Sequence, residues 1–278
     1  MNSFKHLSLA LAAALIAIIA LTACEKIVIL DLDGDDNPVP FVEAHVINQP
    51  GYSFVRVTQT ANFYNSTGGT PVTNAIVTVK DDQGNSESFV HVGSEAEGYY
   101  LPVNEDFKGE VGRKYFLEIK LKDQTITSES ILPDITPIDS VQTRFMKATP
   151  FREEGYYLYY YGTDPPNERN WYRWKVYEND TLYDEPQDIL IASDDFIKEK
   201  IDNLELPYPF QIGDTVRIEQ YGITEPTFLF YQQLQGVIFN DGGLFSPPPA
   251  NPVTNLKGKA FGIFNTASVT DREVIVRE

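Results

Sequence analysis

The chain has one cysteine in 278 residues, together with two tryptophans, two methionines and three histidines. A single cysteine excludes a disulfide framework and any metal site built from several thiolates. Positive charge is also scarce: 22 Lys and Arg stand against 40 Asp and Glu, a net charge of −18. A surface of that sign repels phosphate backbones, which excludes nucleic acid as a partner. The same argument excludes attachment to anionic lipid by charge alone. No apolar run suits a membrane-spanning helix, since the uncharged stretch Leu7 to Leu21 has 15 residues where about 20 are needed. Aromatic residues, by contrast, are plentiful at 13%, and 42% hydrophobic against 22% charged is the balance of a globular protein of one large or two medium domains.

Lys5 and His6 precede the apolar run, which ends in small residues, so residues 1–23 read as a secretory signal. The only cysteine follows at once. Leu21-Thr22-Ala23-Cys24 resembles the bacterial lipobox, and the resemblance implies cleavage before Cys24 and acylation of its thiol. Removing residues 1–23 takes away one Lys and no acid, leaving −19. Acyl chains, at about 0.8 kcal/mol per buried methylene, then hold the mature chain on a membrane without help from charge. Residues 24–40 form an acidic tether containing Asp31, Asp33, Asp35 and Asp36. The first three have the spacing of a calcium loop, but the glycine falls at the fourth place and the twelfth is Val42, which favours a solvated tether. An acidic stretch behind a lipidated cysteine also resembles the surface-export signal of Bacteroidota lipoproteins. Together these features predict an outer-membrane, lipid-anchored protein exposed at the cell surface.

Beyond the tether the pattern is mainly β. In 115–121, Tyr115, Leu117, Ile119 and Leu121 share one face while Glu118 and Lys120 take the other, which is a half-buried strand. Segments 75–80, 86–92 and 42–46 repeat this, and the first two are joined by the turn at 81–85. The spacing predicts an N-terminal antiparallel sandwich over 41–132. Pro133 and Pro137 mark a boundary. A C-terminal β-rich domain is expected over 133–278, with strands near 140–147, 155–162, 170–178, 214–221, 258–265 and 272–277. One α-helix is predicted near 225–239, with Thr224 as cap, Pro226 in its first turn, and Phe228, Tyr231, Leu234, Gln235 and Ile238 at helical spacing.

Two family resemblances follow. Pro71 to Val79, then Gly98-Tyr99-Tyr100, then Gly112 to Leu117 resemble a transthyretin-like or carboxypeptidase-regulatory-like sandwich. More of the chain is covered by the second. Pro137-Ile138-Asp139-Ser140-Val141, Asn170-Trp171-Tyr172-Arg173-Trp174, Tyr231 with Gln232-Gln233-Leu234, and the closing run from Asn255 through Gly258, Gly262 and Phe264 to Val269 resemble the Bacteroidota lipoprotein family named domain of unknown function 4249. That resemblance implies a cell-envelope lipoprotein, often encoded beside a TonB-dependent outer-membrane receptor. It carries over no catalytic residue.

Little in the chain points to catalysis. After signal removal two histidines remain, His45 and His91, each in a predicted strand and without HxH or HExxH spacing. Both are expected as half-exposed strand histidines. Acylation of Cys24 leaves no thiol nucleophile, and neither GxSxG nor a phosphate-cradling glycine loop occurs. Glu153-Glu154 and Asp194-Asp195 are sequence neighbours, which places them on opposite faces of a strand. A glycosidase pair needs two carboxylates about 5–10 Å apart across a cleft. No catalytic residue, metal ligand or cofactor is expected.

Recognition is better represented. In 171–177 period-two parity puts Tyr172, Trp174 and Val176 on one face, read as core, and Trp171, Arg173, Lys175 and Tyr177 on the other. The second set mixes flat aromatics with cations, as a ligand or partner surface does. As a binding surface it would face solvent beside an extended loop at 242–253; the alternative, favoured because large aromatics are usually mostly buried, is that Trp171 covers the sheet beneath a loop or the helix. The resulting expectation is a non-catalytic accessory or substrate-capture subunit of a TonB-dependent transporter. A structural or adhesive surface module is the alternative, and a surface hydrolase rests only on unpositioned carboxylates. The sequence specifies no ligand.

Overall fold

The computed structural model describes residues 38–60, 69–93, 97–163, 169–194, 200–240 and 250–278. The expected signal peptide, Cys24 and the tether up to residue 37 lie outside the described residues, as does 242–249 of the expected loop.

The first half is eight strands: β1 (Pro40–Ile47), β2 (Phe54–Gln59), the two-residue β3 (Thr70–Pro71), β4 (Ile76–Asp81), β5 (Ser86–Val92), β6 (Tyr99–Pro102), β7 (Lys114–Lys120) and β8 (Thr125–Ile131). Alternation works as expected in β7, where Tyr115, Leu117 and Ile119 are buried and Phe116 and Lys120 exposed. Strand β8 has the same alternation with a polar set: Ile126, Ser128 and Ser130 all point inward. Its serines are tolerated there because Ser128 donates to the Asn255 carbonyl at 2.8 Å and Ser130 bonds Thr266 at 2.7 Å.

The second half contains β9 (Ile138–Met146), β10 (Gly155–Thr163), β11 (Trp171–Glu178), the two-residue β12 (Thr181–Leu182), β13 (Leu190–Ser193), β14 (Lys200–Glu205), β15 (Thr215–Ile223), one helix α1 (Glu225–Ile238) and β16 (Phe261–Ile275). The fold is mainly β, in two sheets among the described residues. The larger runs β12-β11-β15-β16-β1-β2-β6-β5-β4-β7-β8, with β13 added to β11 and β3 to β2. The smaller is β14-β10-β9.

Strand β16 is the spine. At ~3.3 Å per residue its 15 residues span roughly 50 Å. Phe261–Ala267 pair in parallel with β1, and Ser268–Ile275 pair antiparallel with β15. Two separate strands, near 258–265 and 272–277, were expected here, because Thr266, Ser268 and Thr270 interrupt the apolar pattern. The strand continues through them since Thr266 and Ser268 are buried and donate to the carbonyls of Ile131 and Pro133. The parallel β1–β16 pair also departs from a purely antiparallel N-terminal region. The expected junction at 132–133 falls between β8 and β9.

Two cores lie on one side of the large sheet. Val42, Ala44, Val46, Val57, Leu117 and Phe264 belong to the first. The second lies between β11, β15 and the small sheet and includes Tyr172, Trp174 and Val176, as parity predicted, with Leu158, Tyr160 and Ile218. On the opposite face lies α1, through Thr227, Phe230, Tyr231 and Leu234. The buried stripe is thus rotated from the one expected: Phe230 replaces Phe228 as the deepest aromatic, and Ile238 is exposed.

Candidate functional site

Paired strand residues lie side by side with side chains on the same face, so register alone tells which groups meet. On the face turned away from both cores, β2 and β1 set Arg56 opposite Glu43, and β1 and β16 set His45 opposite Asn265. From β11 to β15 the pairs are Arg173 with Tyr221, Lys175 with Glu219, and Tyr177 with Arg217. Five strands thereby bring one polar seam together, part of it beneath α1.

Glu219 is the hub at one end, with only 1% of its surface exposed. A buried carboxylate survives when donors replace the lost water. Here Tyr221 donates at 2.6 Å, Tyr52 and Tyr177 at 3.1 Å each, and Arg217 forms an ion pair. The Arg217 guanidinium also stacks 3.8 Å above the Tyr177 ring. Burial, followed by the Glu219 charge, pushes the Tyr177 hydroxyl up to about 12 and raises Tyr221 as well. Burial lowers Lys175, which lies 5.4 Å from the Tyr221 ring centre.

The other end is built on His45, a residue expected half-exposed and found 7% exposed. Its Nε2–H donates to Glu43 Oε1 at 3.3 Å, and its Nδ1 accepts from the Asn265 amide at 3.2 Å. A carboxylate only accepts, so this pattern fixes a neutral ring with the proton on Nε2. Burial lowers the His45 pKa, opposed by Glu43 and helped by Lys175 and Arg173. For Glu43 burial acts upward, but the His45 hydrogen bond and neighbouring positive charge, that of Arg173 and Arg56 included, win, taking it from 4.5 to about 2.

Between the two ends, Arg173 donates to the Tyr231 hydroxyl of α1, its guanidinium 4.1 Å from the ring centre. Arg173 Nε and Asn265 Oδ1 are buried without a hydrogen-bond partner. Hydrogen-bonding capacity is left over there, under the helix. No Ser or Cys joins His45 and Glu43 in the hydrogen-bond network described. What this arrangement offers is hydrogen bonding and charge.

Residues 26–273 match the family described as Domain of unknown function (DUF4249). The chain belongs to that family. The match covers the segments that carried the sequence resemblance, including the closing glycine-aromatic run. No curated protein matches the chain.

Of the residues singled out from sequence in this family member, Trp171, Arg173, Lys175 and Tyr177 do share a face, and all four are half-buried rather than solvent-facing. Trp171 packs against the cluster that includes Ile223 and Ala267, as does Phe228 of α1. Arg173 is held by α1, and Tyr177 by Glu219. Among the carboxylates, Asp194 accepts from the Asn170 backbone at 2.8 Å, while Asp195 lies outside the described residues. Glu43, Glu219, Asn265 and Tyr231 were not foreseen. The only sequence signal for Glu43 and His45 was their alternation with Val42, Ala44 and Val46. Among the described residues no group of three or more His, Cys, Asp and Glu is arranged to hold a metal ion, and no helix is long and apolar enough to cross a membrane.

Proposed function

We propose that this family member is a non-catalytic cell-envelope lipoprotein, held at the outer membrane through Cys24 and exposed at the surface. In this reading it serves as an accessory or substrate-capture subunit of a TonB-dependent transporter. One observation carries the non-catalytic half: the histidine that meets a carboxylate uses both ring nitrogens on protein partners. A general base needs a free nitrogen within hydrogen-bond reach of its substrate. Leu21-Thr22-Ala23-Cys24 supports the anchor. The transporter partnership rests on the company that the resembling lipoproteins keep. The seam around Arg173 favours recognition, since cations and aromatic faces there combine with spare hydrogen-bonding capacity.

The test is affinity recovery of the tagged protein from native membranes in mild detergent. A TonB-dependent receptor is expected among the co-purifying proteins, and recovery of none would overturn the transporter role. Turnover of a glycan or peptide panel by the purified protein would overturn the non-catalytic one.

A further inference from the structure

Strands β9 and β10 pair as far as Met146 and Gly155, and residues 147–154 join them. Within that connection Thr149 and Arg152 exchange backbone hydrogen bonds at 2.9 and 3.3 Å, closing a turn of two residues, Pro150 and Phe151. Such a turn ordinarily carries small polar residues at its tip. Here it carries a phenylalanine that is 99% exposed. The ring packs on nothing in its own chain, yet its backbone is held. Pro150 fixes its own φ, and the Phe151 amide donates to Thr149 Oγ1 at 3.3 Å. Behind it Arg152 forms an ion pair with Glu205 and lies 4.8 Å from the centre of the Tyr157 ring, whose hydroxyl donates to the Glu153 carbonyl at 3.0 Å. More apolar surface lies at the same end. Phe145 is half-exposed, its ring 5.3 Å from that of Tyr156. Antiparallel bonding of Tyr156 to Phe210 at 2.9 and 2.8 Å carries Ile212, also exposed, toward the hairpin connection.

We infer that this turn is a docking finger, and that the Phe151 ring enters an apolar, polar-rimmed socket on a partner protein. The partner is the transporter of the proposed function, and the inference rests on that reading. A fully presented ring on a fixed turn brings a large apolar area and loses little freedom on docking, which are the qualities of an interface anchor. Its neighbours decide among the surfaces that could take it. Arg152, Glu153 and Glu154 follow Phe151 directly, and both glutamates are exposed. Carboxylates so close to the ring are costly in a bilayer, whereas the rim of a protein socket is polar and wet. A second copy of this chain is a poor host as well. The concavity floored by Val79 and Phe107 is rimmed by Lys80, Asp81, Glu87 and Glu110, and the one at Val72 and Leu121 by Lys122, Asp123 and Lys259. Neither offers the ring a dry socket.

The test compares tagged wild type, Phe151→Ser and Phe151→Leu, each recovered from native membranes in mild detergent, with the co-purifying transporter quantified. Because the ring packs on nothing, Phe151→Ser should melt like the wild type. It should nevertheless retain about tenfold less transporter, or lower still, while Phe151→Leu keeps most of it. Recovery by Phe151→Ser equal to that by the wild type would overturn the inference and leave the accessory reading standing. Absence of any transporter with the wild type would remove that reading, and the inference with it. Two further outcomes would overturn the inference alone. One is flotation of the unanchored Cys24→Ala protein with phosphatidylethanolamine vesicles that Phe151→Ser abolishes, which would assign the ring to lipid. The other is dimerisation in sedimentation that Phe151→Ser abolishes, which would assign it to a second copy.

Discussion

At the scale of single residues, the seam is a set of buried charges stabilised by their own neighbours. Glu219 is the sharpest case. Replacing it with Ala strands three tyrosine hydroxyls and the Arg217 guanidinium, and we expect a loss of about 3 kcal/mol in denaturant unfolding. Glu219→Gln keeps an acceptor and should cost less, about 1–2 kcal/mol. The Glu43–His45 pair predicts the acid limb of the stability curve. Glu43 is held below its ordinary 4.5 in the fold, so its contribution is complete above 4.5 and is lost as pH falls toward about 2. His45 is lowered from 6.5, so the unfolded chain binds that proton first and stability declines as pH drops below 6.5. Both act in the same direction. Urea unfolding at about pH 7 and about pH 3 should show a marked loss in the wild type and a flatter dependence in Glu43→Gln. An equally steep loss in the variant would contradict the assignment. None of these partners was legible from sequence, because a strand histidine looks alike whether water or an asparagine 220 residues away completes its bonding.

Among the elements, those governed by local pattern were legible. The expected 86–92 strand is β5 to the residue, 42–46 and 155–162 lie within β1 and β10, and β11 covers all of 170–178 but its first residue. Helix α1 starts where Thr224 and Pro226 predicted, and it buries a stripe one step away from the expected one because Thr227 and Phe230 meet the sheet. Strands whose inward residues are polar escaped, as β8 shows. So did the continuity of β16, whose middle is held by hydroxyl-to-carbonyl bonds. Gly262 tests that spine. Its φ is +109, and a Cβ there would collide with the Val42 carbonyl, so Gly262→Ala should break the parallel pairing with β1 and destabilise the protein by more than about 3 kcal/mol. Wild-type stability in thermal unfolding would refute the spine's role. Phe230→Ala should cost about 3 kcal/mol by undocking α1, with altered emission from Trp171, which packs on the same cluster as Phe228 of that helix.

For the molecule as a whole, the sequence carried the class and the family, and topology supplied the rest. No local signal says that a strand near residue 265 lies beside one near residue 45, yet that pairing assembles the seam from both halves of the chain. The sequence also placed Trp171, Arg173, Lys175 and Tyr177 on one face correctly by parity, and it offered cover by a loop or the helix for Trp171 alone, whereas α1 also holds Arg173. The residence proposed for this protein at the outer membrane depends on acylation of Cys24. Growth with a clickable fatty acid measures that directly. The wild-type protein should carry the label and Cys24→Ala should carry none; equal labelling of the two, or no label on the wild type, would contradict the account.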